Sequence, residues 1–222
     1  EIKDIVIRHI RGDKKNVALV LSSGGARGLA HIGAIEELLE RGYNIRSIAG
    51  TSMGALIAGM YATGHLDRFK EWMETIDRKK IFSLTDFSLS FDHLVKGRRI
   101  ITALKEIVPD VRIEDLPIPY AAVATDWESG HEVVFTQGSL YDAIRASISL
   151  PAFLSPVKTG NKTLIDGGIT NPLPLNRVER TKGDLLAAVN VSGHDYLGQT
   201  RVKKAAEKHE LENSRALRLL KR

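Results

Sequence analysis

The segment Ser47-Ile48-Ala49-Gly50-Thr51-Ser52-Met53-Gly54-Ala55 carries a short apolar strand into a helix of small residues. The turn between them reads Gly-x-Ser-x-Gly, with Gly50 and Gly54 flanking Ser52. Such a turn holds the serine hydroxyl out of the sheet, because the glycines permit a strained backbone and the close approach of neighbouring elements. The helix also directs the positive end of its dipole at any anion formed there. The pattern therefore marks Ser52 as a candidate nucleophile.

Strand-like and helical patterns alternate on both sides of this segment. Upstream, Asn16–Leu21 is a continuous apolar run typical of a buried parallel strand, and the helix after it ends at Gly42. Downstream we expect strands at 119–125, 132–135, 162–165 and 185–191, and helices at 55–60, 66–76, 100–108, 140–149 and 205–220, with a further helix opened by Pro172 and Pro174. The alternation predicts an α/β fold whose mostly parallel sheet is covered on both faces.

The length of 222 residues suits a single α/β domain with a short appendage. We expect a leader or edge segment over residues 1–16, the main domain over 17–200 and a basic helix over 201–222. The absence of cysteine excludes disulfides and thiolate metal sites. No apolar run is long enough to span a bilayer, and no signal peptide is visible. We therefore expect a soluble or membrane-peripheral protein, cytoplasmic or exported with its signal sequence absent from this chain.

The net charge of +5 comes from the end of the chain. From Arg201 onwards there are eight basic and three acidic residues, whereas residues 1–200 carry 24 of each sign. This balance argues against a nucleic-acid-binding surface on the main domain. The basic tail is interpreted either as a contact for anionic lipid or an acidic partner, or as a solvated helix.

A serine hydroxyl needs a base to accept its proton, and an aspartate at the end of a short strand offers one. Asp166 is followed by Gly167 and Gly168, whose lack of side chains lets another element approach the carboxylate. A free aspartate has a pKa of about 4 and is a weak base, but partial burial raises the pKa and strengthens the base. The alternative interpretation is an ordinary Asp-Gly-Gly turn.

Two other arrangements of the base remain open from the residues alone. A triad in the order Ser52, Asp166 and His194 would suit an α/β-hydrolase, but that fold places several strands before the serine, and here only one or two precede it. Asp126, at the end of another predicted strand, is a third candidate base without flanking glycines.

The Gly-rich segment Ser23-Gly24-Gly25-Ala26-Arg27-Gly28 follows the first strand and opens a helix. An acyl-transfer transition state develops a negative oxygen, which fixed backbone N–H groups stabilise. Gly24, Gly25 and Ala26 would present such groups, and Arg27 would orient the loop or serve as a structural cation. The segment fits neither phosphate-binding pattern, because a serine replaces the first glycine of G-x-G-x-x-G and no Lys-Ser or Lys-Thr follows.

A Phe-rich segment at 82–95 fits neither a helix nor a strand, since its large apolar residues are spaced irregularly among serines and aspartates. It is interpreted either as a loose cover that admits an acyl chain to a cleft, or as a loop that packs its aromatic rings on the domain.

Three motifs, Ser23-Gly24-Gly25-Ala26-Arg27-Gly28, Gly50-Thr51-Ser52-Met53-Gly54 and Asp166-Gly167-Gly168, each follow a strand in this order. The combination resembles the bacterial branch of the patatin-like phospholipase family. Four further segments look like blocks of that family: Leu29-Ala30-His31-Ile32-Gly33, Ala124-Thr125-Asp126, Ala143-Ile144-Arg145-Ala146-Ser147-Ile148-Ser149-Leu150-Pro151 and Asn171-Pro172-Leu173-Pro174. The resemblance covers most of the chain, from about Val17 to Val191.

The resemblance implies a three-layer α/β/α sandwich and a lipid acyl hydrolase with a Ser–Asp dyad, without a metal or a cofactor. Ser52 would be the nucleophile, Asp166 the base and the amides of residues 24–26 the oxyanion hole, acting on a phospholipid or another acyl lipid. Ser23 stands where the family's loop usually has a further glycine, and a serine would be strained there if φ is positive. A rival interpretation keeps the fold and makes the chain a non-catalytic lipid-binding or scaffolding module.

Overall fold

The computed structural model describes residues 15–75, 93–151 and 153–193, with the backbone alone over 93–99. The described fold belongs to the unit Glu1–Ser192, one of the two units into which the chain divides. Four predictions lie outside the described residues, wholly or in large part: the leader, the Phe-rich segment, the role of His194 and the basic tail.

The described residues contain seven strands and five α-helices. The strands are β1 (Asn16–Leu21), β2 (Asn44–Thr51), β3 (Tyr120–Asp126), β4 (Glu132–Phe135), β5 (Val157–Thr159), β6 (Lys162–Asp166) and β7 (Leu185–Val189). The helices are α1 (Ala30–Glu40), α2 (Met53–Ala62), α3 (Leu66–Thr75), α4 (His93–Ile107) and α5 (Leu140–Ser147), and short 3-10 helices span Gly25–Leu29, Ile113–Asp115 and Gly167–Ile169. The apolar runs of the sequence correspond to six of these strands, whereas β5 was not predicted.

All seven strands belong to one sheet. The strands β7, β1, β2 and β3 are neighbours in that order and run parallel, as the apolar runs predicted. The pairs β3–β4, β3–β6 and β5–β6 are antiparallel, so the sheet is mixed. The parallel part of the sheet is covered on both faces by other segments of the chain. The antiparallel part brings the carboxyl end of β6 to the site described below.

The strand β3 has three partners on two edges, and this crowding positions the site. Residues 122–123 pair with both β2 and β4, and residues 124–125 pair with both β4 and β6. The strands β2 and β6 therefore share one edge of β3, opposite β4. Since β2 runs parallel and β6 antiparallel to β3, their carboxyl ends meet head to head, and Thr51 and Asp166 pair with consecutive residues of β3.

The two faces of the sheet are covered differently. The succession β1, β2, β3 moves across the sheet in one direction, so right-handed connections place the intervening helices on one face, where they form the main core. The chain then returns across the other face to reach β7 beside β1. On that face Ala18, Val20 and Ala49 pack with Leu173 and Val178, which belong to the connection between β6 and β7.

The prediction of a helix opened by Pro172 and Pro174 was wrong, because this segment forms no helix in the structure. The carbonyl groups of Asn171 and Pro172 bind residues from other parts of the chain rather than helical amides that follow them. The carbonyl of Asn171 accepts a hydrogen bond from the Thr51 hydroxyl at 2.8 Å, and the carbonyl of Pro172 accepts one from the Ser23 amide at 2.8 Å. This segment therefore ties β2 to the Gly-rich loop. None of the described helices combines the length and the apolar character that crossing a membrane requires.

Candidate active site

Ser52 lies half-buried at the turn between β2 and α2, with its backbone at φ 56° and ψ −124°. Among the non-glycine residues that the structure describes, it alone has a positive φ. Such a backbone is strained for a residue with a side chain and persists only where the surroundings enforce it. The Ser52 hydroxyl donates a hydrogen bond to Oδ2 of Asp166 at 2.6 Å.

Gly50 and Gly54 leave no room for a side chain on either side of Ser52. A Cβ at Gly50 would collide with the backbone of Gly54, and a Cβ at Gly54 would collide with the carbonyls of Leu21 and Ser22 at the end of β1. The turn that carries Ser52 thus packs directly on the backbone from which the Gly-rich loop departs.

Asp166 ends β6 and is almost completely buried, at 4% exposed. Its two carboxyl oxygens have separate donors: Oδ2 accepts from the Ser52 hydroxyl, and Oδ1 accepts from the Gly168 amide at 2.7 Å. Burial raises the pKa of the Asp166 carboxyl above its ordinary value, and the hydrogen bonds from Ser52 and Gly168 oppose that effect only in part. The carboxylate is thus a stronger base than a free aspartate, and it already touches the hydroxyl.

The two glycines after Asp166 let the chain turn tightly around its carboxyl group. A Cβ at Gly167 would collide with the carbonyl of Val123 in β3. A Cβ at Gly168 would lie 3.0 Å from Oδ1 of Asp166 and 3.2 Å from the Ser23 hydroxyl oxygen. The Asp-Gly-Gly motif therefore brings the carboxylate beside both β3 and the start of the Gly-rich loop.

The Gly-rich loop leaves β1 beside this site and continues as the 3-10 helix Gly25–Leu29. Its first intrahelical hydrogen bond runs from the Arg27 amide to the Gly24 carbonyl at 3.2 Å. Within the described part of the chain, the amides of Gly24, Gly25 and Ala26 therefore have no backbone acceptor, as expected at the start of a helix. These three N–H groups are free to bind an external oxygen.

Two further residues of the motif have different surroundings. Gly28 is buried, and a Cβ there would collide with the side chain of Met53, so the glycine lets the 3-10 helix pack on the residue that follows Ser52. Arg27 is exposed, and its guanidinium reaches the Ser192 hydroxyl at 3.5 Å, which in turn lies 3.3 Å from the Ser23 carbonyl. Arg27 thus approaches the loop backbone only through another side chain.

The serine at position 23 is not strained, since Ser52 is the residue with positive φ among the described non-glycine residues. The preceding residue, Ser22, is fixed by His31, whose Nε2 donates a hydrogen bond to the Ser22 carbonyl at 2.8 Å. His31 is fully buried, and burial lowers the pKa of its imidazole despite this hydrogen bond. The imidazole is therefore neutral at physiological pH and acts as a donor to the backbone.

The structure does not bring the alternative base Asp126 to Ser52. Its carboxylate accepts a hydrogen bond from the Ser129 hydroxyl at 2.8 Å in the turn between β3 and β4, and that bond holds the pKa of Asp126 below its ordinary value. His194, the histidine of the alternative triad, lies outside the described residues.

Ser147 is a contact that sequence reasoning missed. Its hydroxyl oxygen accepts a hydrogen bond from the Ser52 amide at 2.8 Å and donates one to the Val123 carbonyl at 2.6 Å. Two residues further on, the Ser149 carbonyl accepts a hydrogen bond from the Asp166 amide at 2.9 Å. The sequence signals were a polar residue on the apolar side of a predicted helix and its place in the family-like block at 143–151, and neither signal identifies a hydrogen-bond partner.

No cluster of three or more His, Asp or Glu side chains in the described residues is arranged to hold a metal ion. The Ser52 hydroxyl thus binds a buried carboxylate, and the Gly-rich loop with its run of backbone amides packs against the turn at Ser52. Nucleophilic catalysis requires groups of these three kinds: a nucleophile, a base in hydrogen-bond contact and donors for a developing anion.

Comparison with known proteins gives consistent results. The family model described as patatin-like phospholipase matches residues 19–178. An uncharacterized NTE family protein of Mycobacterium tuberculosis is 46% identical over 187 residues, covering 84% of this chain and 52% of that protein. Neuropathy target esterase sws of Drosophila melanogaster is 31% identical over 188 residues, covering 81% of this chain and 13% of that protein.

The crystal structure of VipD from Legionella pneumophila has a TM-score of 0.53 and 16% identity, covering 89% of this chain and 55% of that one. This likeness concerns the fold alone. The chain spans about half the length of the mycobacterial relatives that are 46% identical to it. The family match extends over most of the described fold and includes all three motifs, and the chain therefore belongs to the patatin-like phospholipase family.

Proposed function

We propose that this chain hydrolyses carboxylic ester bonds of acyl lipids through a Ser52–Asp166 dyad. The observation that carries the proposal is the 2.6 Å hydrogen bond from the Ser52 hydroxyl to a carboxylate that is 4% exposed. The substrate class is supported by the description of the family, patatin-like phospholipase, and by the name of one relative, neuropathy target esterase. A glycerophospholipid is therefore the first substrate to test.

The first half of the reaction forms an acyl-enzyme. The Ser52 oxygen attacks the ester carbonyl carbon while its proton moves to Oδ2 of Asp166. The tetrahedral intermediate then expels the alcohol, which takes the proton from Asp166 as it leaves. No further base is required, because the carboxylate already accepts a hydrogen bond from the nucleophile and its raised pKa suits it to hold the proton between the two steps.

The second half releases the fatty acid. A water molecule attacks the acyl-enzyme carbonyl and transfers a proton to Asp166. The tetrahedral intermediate collapses, the Ser52 oxygen leaves and it recovers the proton from Asp166. The dyad returns to its starting protonation state, and the net reaction consumes one water for each ester bond.

The oxyanion in both halves would be stabilised by the amides of Gly24, Gly25 and Ala26. Support comes from their lack of a backbone acceptor and from the packing of the loop against the turn at Ser52, through the close contacts of Gly28 and Gly54. Losing one such donor typically costs about 3 kcal/mol of transition-state stabilisation.

A fluorescent fluorophosphonate tests the nucleophile directly, because the serine oxygen attacks phosphorus and fluoride leaves. We expect the parent chain to be labelled and Ser52→Ala not to be. Asp166→Asn should lose labelling and the hydrolysis of a chromogenic acyl ester, whereas Asp126→Asn, which alters the alternative base, should retain both. Near-normal activity of Asp166→Asn would contradict the dyad.

Two other interpretations are separated by the same measurement. A folded parent chain that takes up no fluorophosphonate would favour the non-catalytic lipid-binding module. A loss in His194→Ala as large as that in Asp166→Asn would favour the triad. Once labelling at Ser52 is established, incubation with a panel of phospholipids, lysophospholipids and neutral acyl lipids, read by mass spectrometry, identifies the substrate from the released fatty acid.

A further inference from the structure

The end of helix α5 contacts the backbone of both proposed catalytic residues. The Ser147 hydroxyl accepts the amide hydrogen of Ser52, and the Ser149 carbonyl accepts that of Asp166, at 2.8 and 2.9 Å. Ser52 directly follows β2 and Asp166 ends β6, and the two strands meet head to head along β3. One short segment thus fixes the position of two residues that come from distant parts of the chain.

The Ser147 hydroxyl occupies the place where strand pairing stops. The parallel ladder of β2 and β3 ends with the pair Thr51 and Val123, after which Ser52 turns away with its positive φ. Because the chain turns away at Ser52, the Ser52 amide and the Val123 carbonyl do not continue the hydrogen-bonded ladder between β2 and β3. Ser147 satisfies both, as acceptor for the amide and as donor to the carbonyl. Without it, the part-buried Ser52 amide and the buried Val123 carbonyl would each lose a hydrogen bond.

The same Val123 carbonyl also lies close to the chain that follows Asp166. Gly167, the residue after Asp166, packs against this carbonyl so closely that a Cβ would collide with it. The Ser147 hydroxyl therefore bonds to the nucleophile's amide on one side and, on the other, to the carbonyl against which the chain after the base packs. A shift of this hydroxyl would change the distance between Ser52 and Asp166.

The helix that carries Ser147 is itself firmly held. Ser147 is 0% exposed, and in the same helix the fully buried Tyr141 hydroxyl lies 2.7 Å from the Val108 carbonyl oxygen and 3.0 Å from that of Leu104, between which it shares its one donor hydrogen. Ser139 caps the start of the helix by accepting the Asp142 amide. The hydroxyl of Ser147 is thus presented from a rigid element rather than from a loop.

We propose that Ser147 is a positioning residue that holds the strained Ser52 turn at the hydrogen-bond distance from Asp166. The inference rests on the proposed function, since it concerns the same dyad. The Ser147 hydroxyl bonds to the Ser52 amide and the Val123 carbonyl rather than to the Ser52 hydroxyl or the Asp166 carboxyl, so its proposed effect on catalysis passes through the backbone.

The test compares Ser147→Ala with Ser47→Ala in the full chain. Ser47 is also a buried serine of the β2 region, and its hydroxyl donates to the Glu179 carbonyl far from the site. Fluorophosphonate labelling is measured against probe concentration to separate the maximal rate from the apparent affinity. We expect Ser147→Ala to lower the maximal rate about 10- to 100-fold, as a misplaced nucleophile does, with little change in affinity.

Ser47→Ala should lower the melting temperature to a similar degree without slowing labelling. Ser147→Thr keeps a hydroxyl and should recover most of the rate. If Ser147→Ala does not fold, Ser147→Cys replaces it, and the weaker thiol donor should again slow labelling. Parental labelling rates in a folded Ser147→Ala or Ser147→Cys chain, or equal slowing in Ser47→Ala, would overturn the inference.

Amide hydrogen exchange provides a readout that does not depend on activity. The Ser52 amide should exchange faster in Ser147→Ala than in the parent, whereas Ser47→Ala should leave it protected. If the parent chain is not labelled by the fluorophosphonate, the proposed function fails, and the exchange of this amide still decides whether Ser147 holds the turn. Unchanged exchange at Ser52 in Ser147→Ala would exclude the positioning role.

Discussion

The Ser52 hydroxyl lies 2.6 Å from Oδ2 of Asp166, although 114 residues separate them in the chain. The contact results from the position of β6, which runs antiparallel to β3 and ends where β2 ends. Both residues are therefore fixed by strand ends rather than by flexible loops. A carboxylate already in contact with the hydroxyl needs no intermediate imidazole to reach it, and this geometry supports the proposed two-residue mechanism.

The pH dependence of labelling follows from the buried position of Asp166. In the proposed mechanism Asp166 accepts the proton only when it is ionised, and burial raises its pKa above the ordinary value. We expect the maximal labelling rate to increase with pH through the raised pKa of Asp166 and then to level off, so that the acidic limb lies above pH 4, roughly the pKa of a free aspartate. The measurement is the labelling rate between pH 4 and pH 9, with the stability of the fold checked at each pH.

His194→Ala serves as the control for this profile, because a histidine base would also give an acidic limb. The limb should stay in place in His194→Ala. Its disappearance in that variant, or a rate that is already maximal at pH 4, would contradict the assignment of the limb to Asp166.

The Asp166→Asn variant should be inactive and yet more stable than the parent at neutral pH. Because the folded-state pKa of Asp166 is raised, protonation of this residue favours the folded state. That contribution is fully present below the unfolded-state pKa and is lost as the pH rises through the folded-state pKa. Asparagine removes the buried charge and can still accept from Gly168 and donate to Ser52. We expect a higher melting temperature at pH 7 and no difference near pH 3.

Asp126→Asn is the matched variant, and it should show the opposite sign. The hydrogen bond from Ser129 holds the pKa of Asp126 below its ordinary value, so its ionised form stabilises the fold above the unfolded-state pKa, and the contribution is lost as the pH falls. We therefore expect a lower melting temperature for Asp126→Asn at pH 7. A decrease for Asp166→Asn as large as that for Asp126→Asn would show that the Asp166 charge does not destabilise the fold.

The strain at Ser52 can be measured by comparing two inactive variants. Ser52→Ala keeps a Cβ in a conformation with φ 56° and ψ −124°, which glycine adopts without steric cost. Relief of this strain is worth about 1 kcal/mol or more, so Ser52→Gly should unfold at a higher denaturant concentration than Ser52→Ala. The measurement is the free energy of unfolding in urea, and equal values for the two variants would show that the turn relaxes when the hydroxyl is absent.

The extent of agreement between sequence and structure depends on whether a feature is local. The run Asn16–Leu21 predicts its strand correctly, because a continuous apolar run indicates a buried strand whichever strands pair with it. The pairing of β6 was not predictable, since a strand of five residues carries no signal for its partner or direction. The segment that begins at Pro172 was wrongly predicted to be a helix, because the carbonyls of Asn171 and Pro172 accept hydrogen bonds from Thr51 and Ser23, which are distant in the sequence. Ser147 was missed for the same reason, as its partners are two backbone groups in other elements.

Two helical glycines, Gly54 and Gly33, differ in the space that the structure leaves for a side chain. Both lie in helices, but a Cβ at Gly54 would collide with the carbonyls of Leu21 and Ser22, whereas a Cβ at Gly33 would have nothing within 4 Å. Gly54→Ala must push α2 away from β1 and should destabilise the fold by about 3 kcal/mol or more.

Gly33→Ala should instead stabilise the chain by about 0.5 to 1 kcal/mol, because alanine loses less backbone freedom on entering a helix. Urea unfolding measures both effects, and fluorophosphonate labelling of whatever Gly54→Ala protein remains folded should be slower than that of Gly33→Ala. Because α2 begins immediately after Ser52, a displaced helix also moves the nucleophile. If Gly54→Ala were as stable and as reactive as the parent, the close packing of the turn on β1 would not be what holds Ser52 in place.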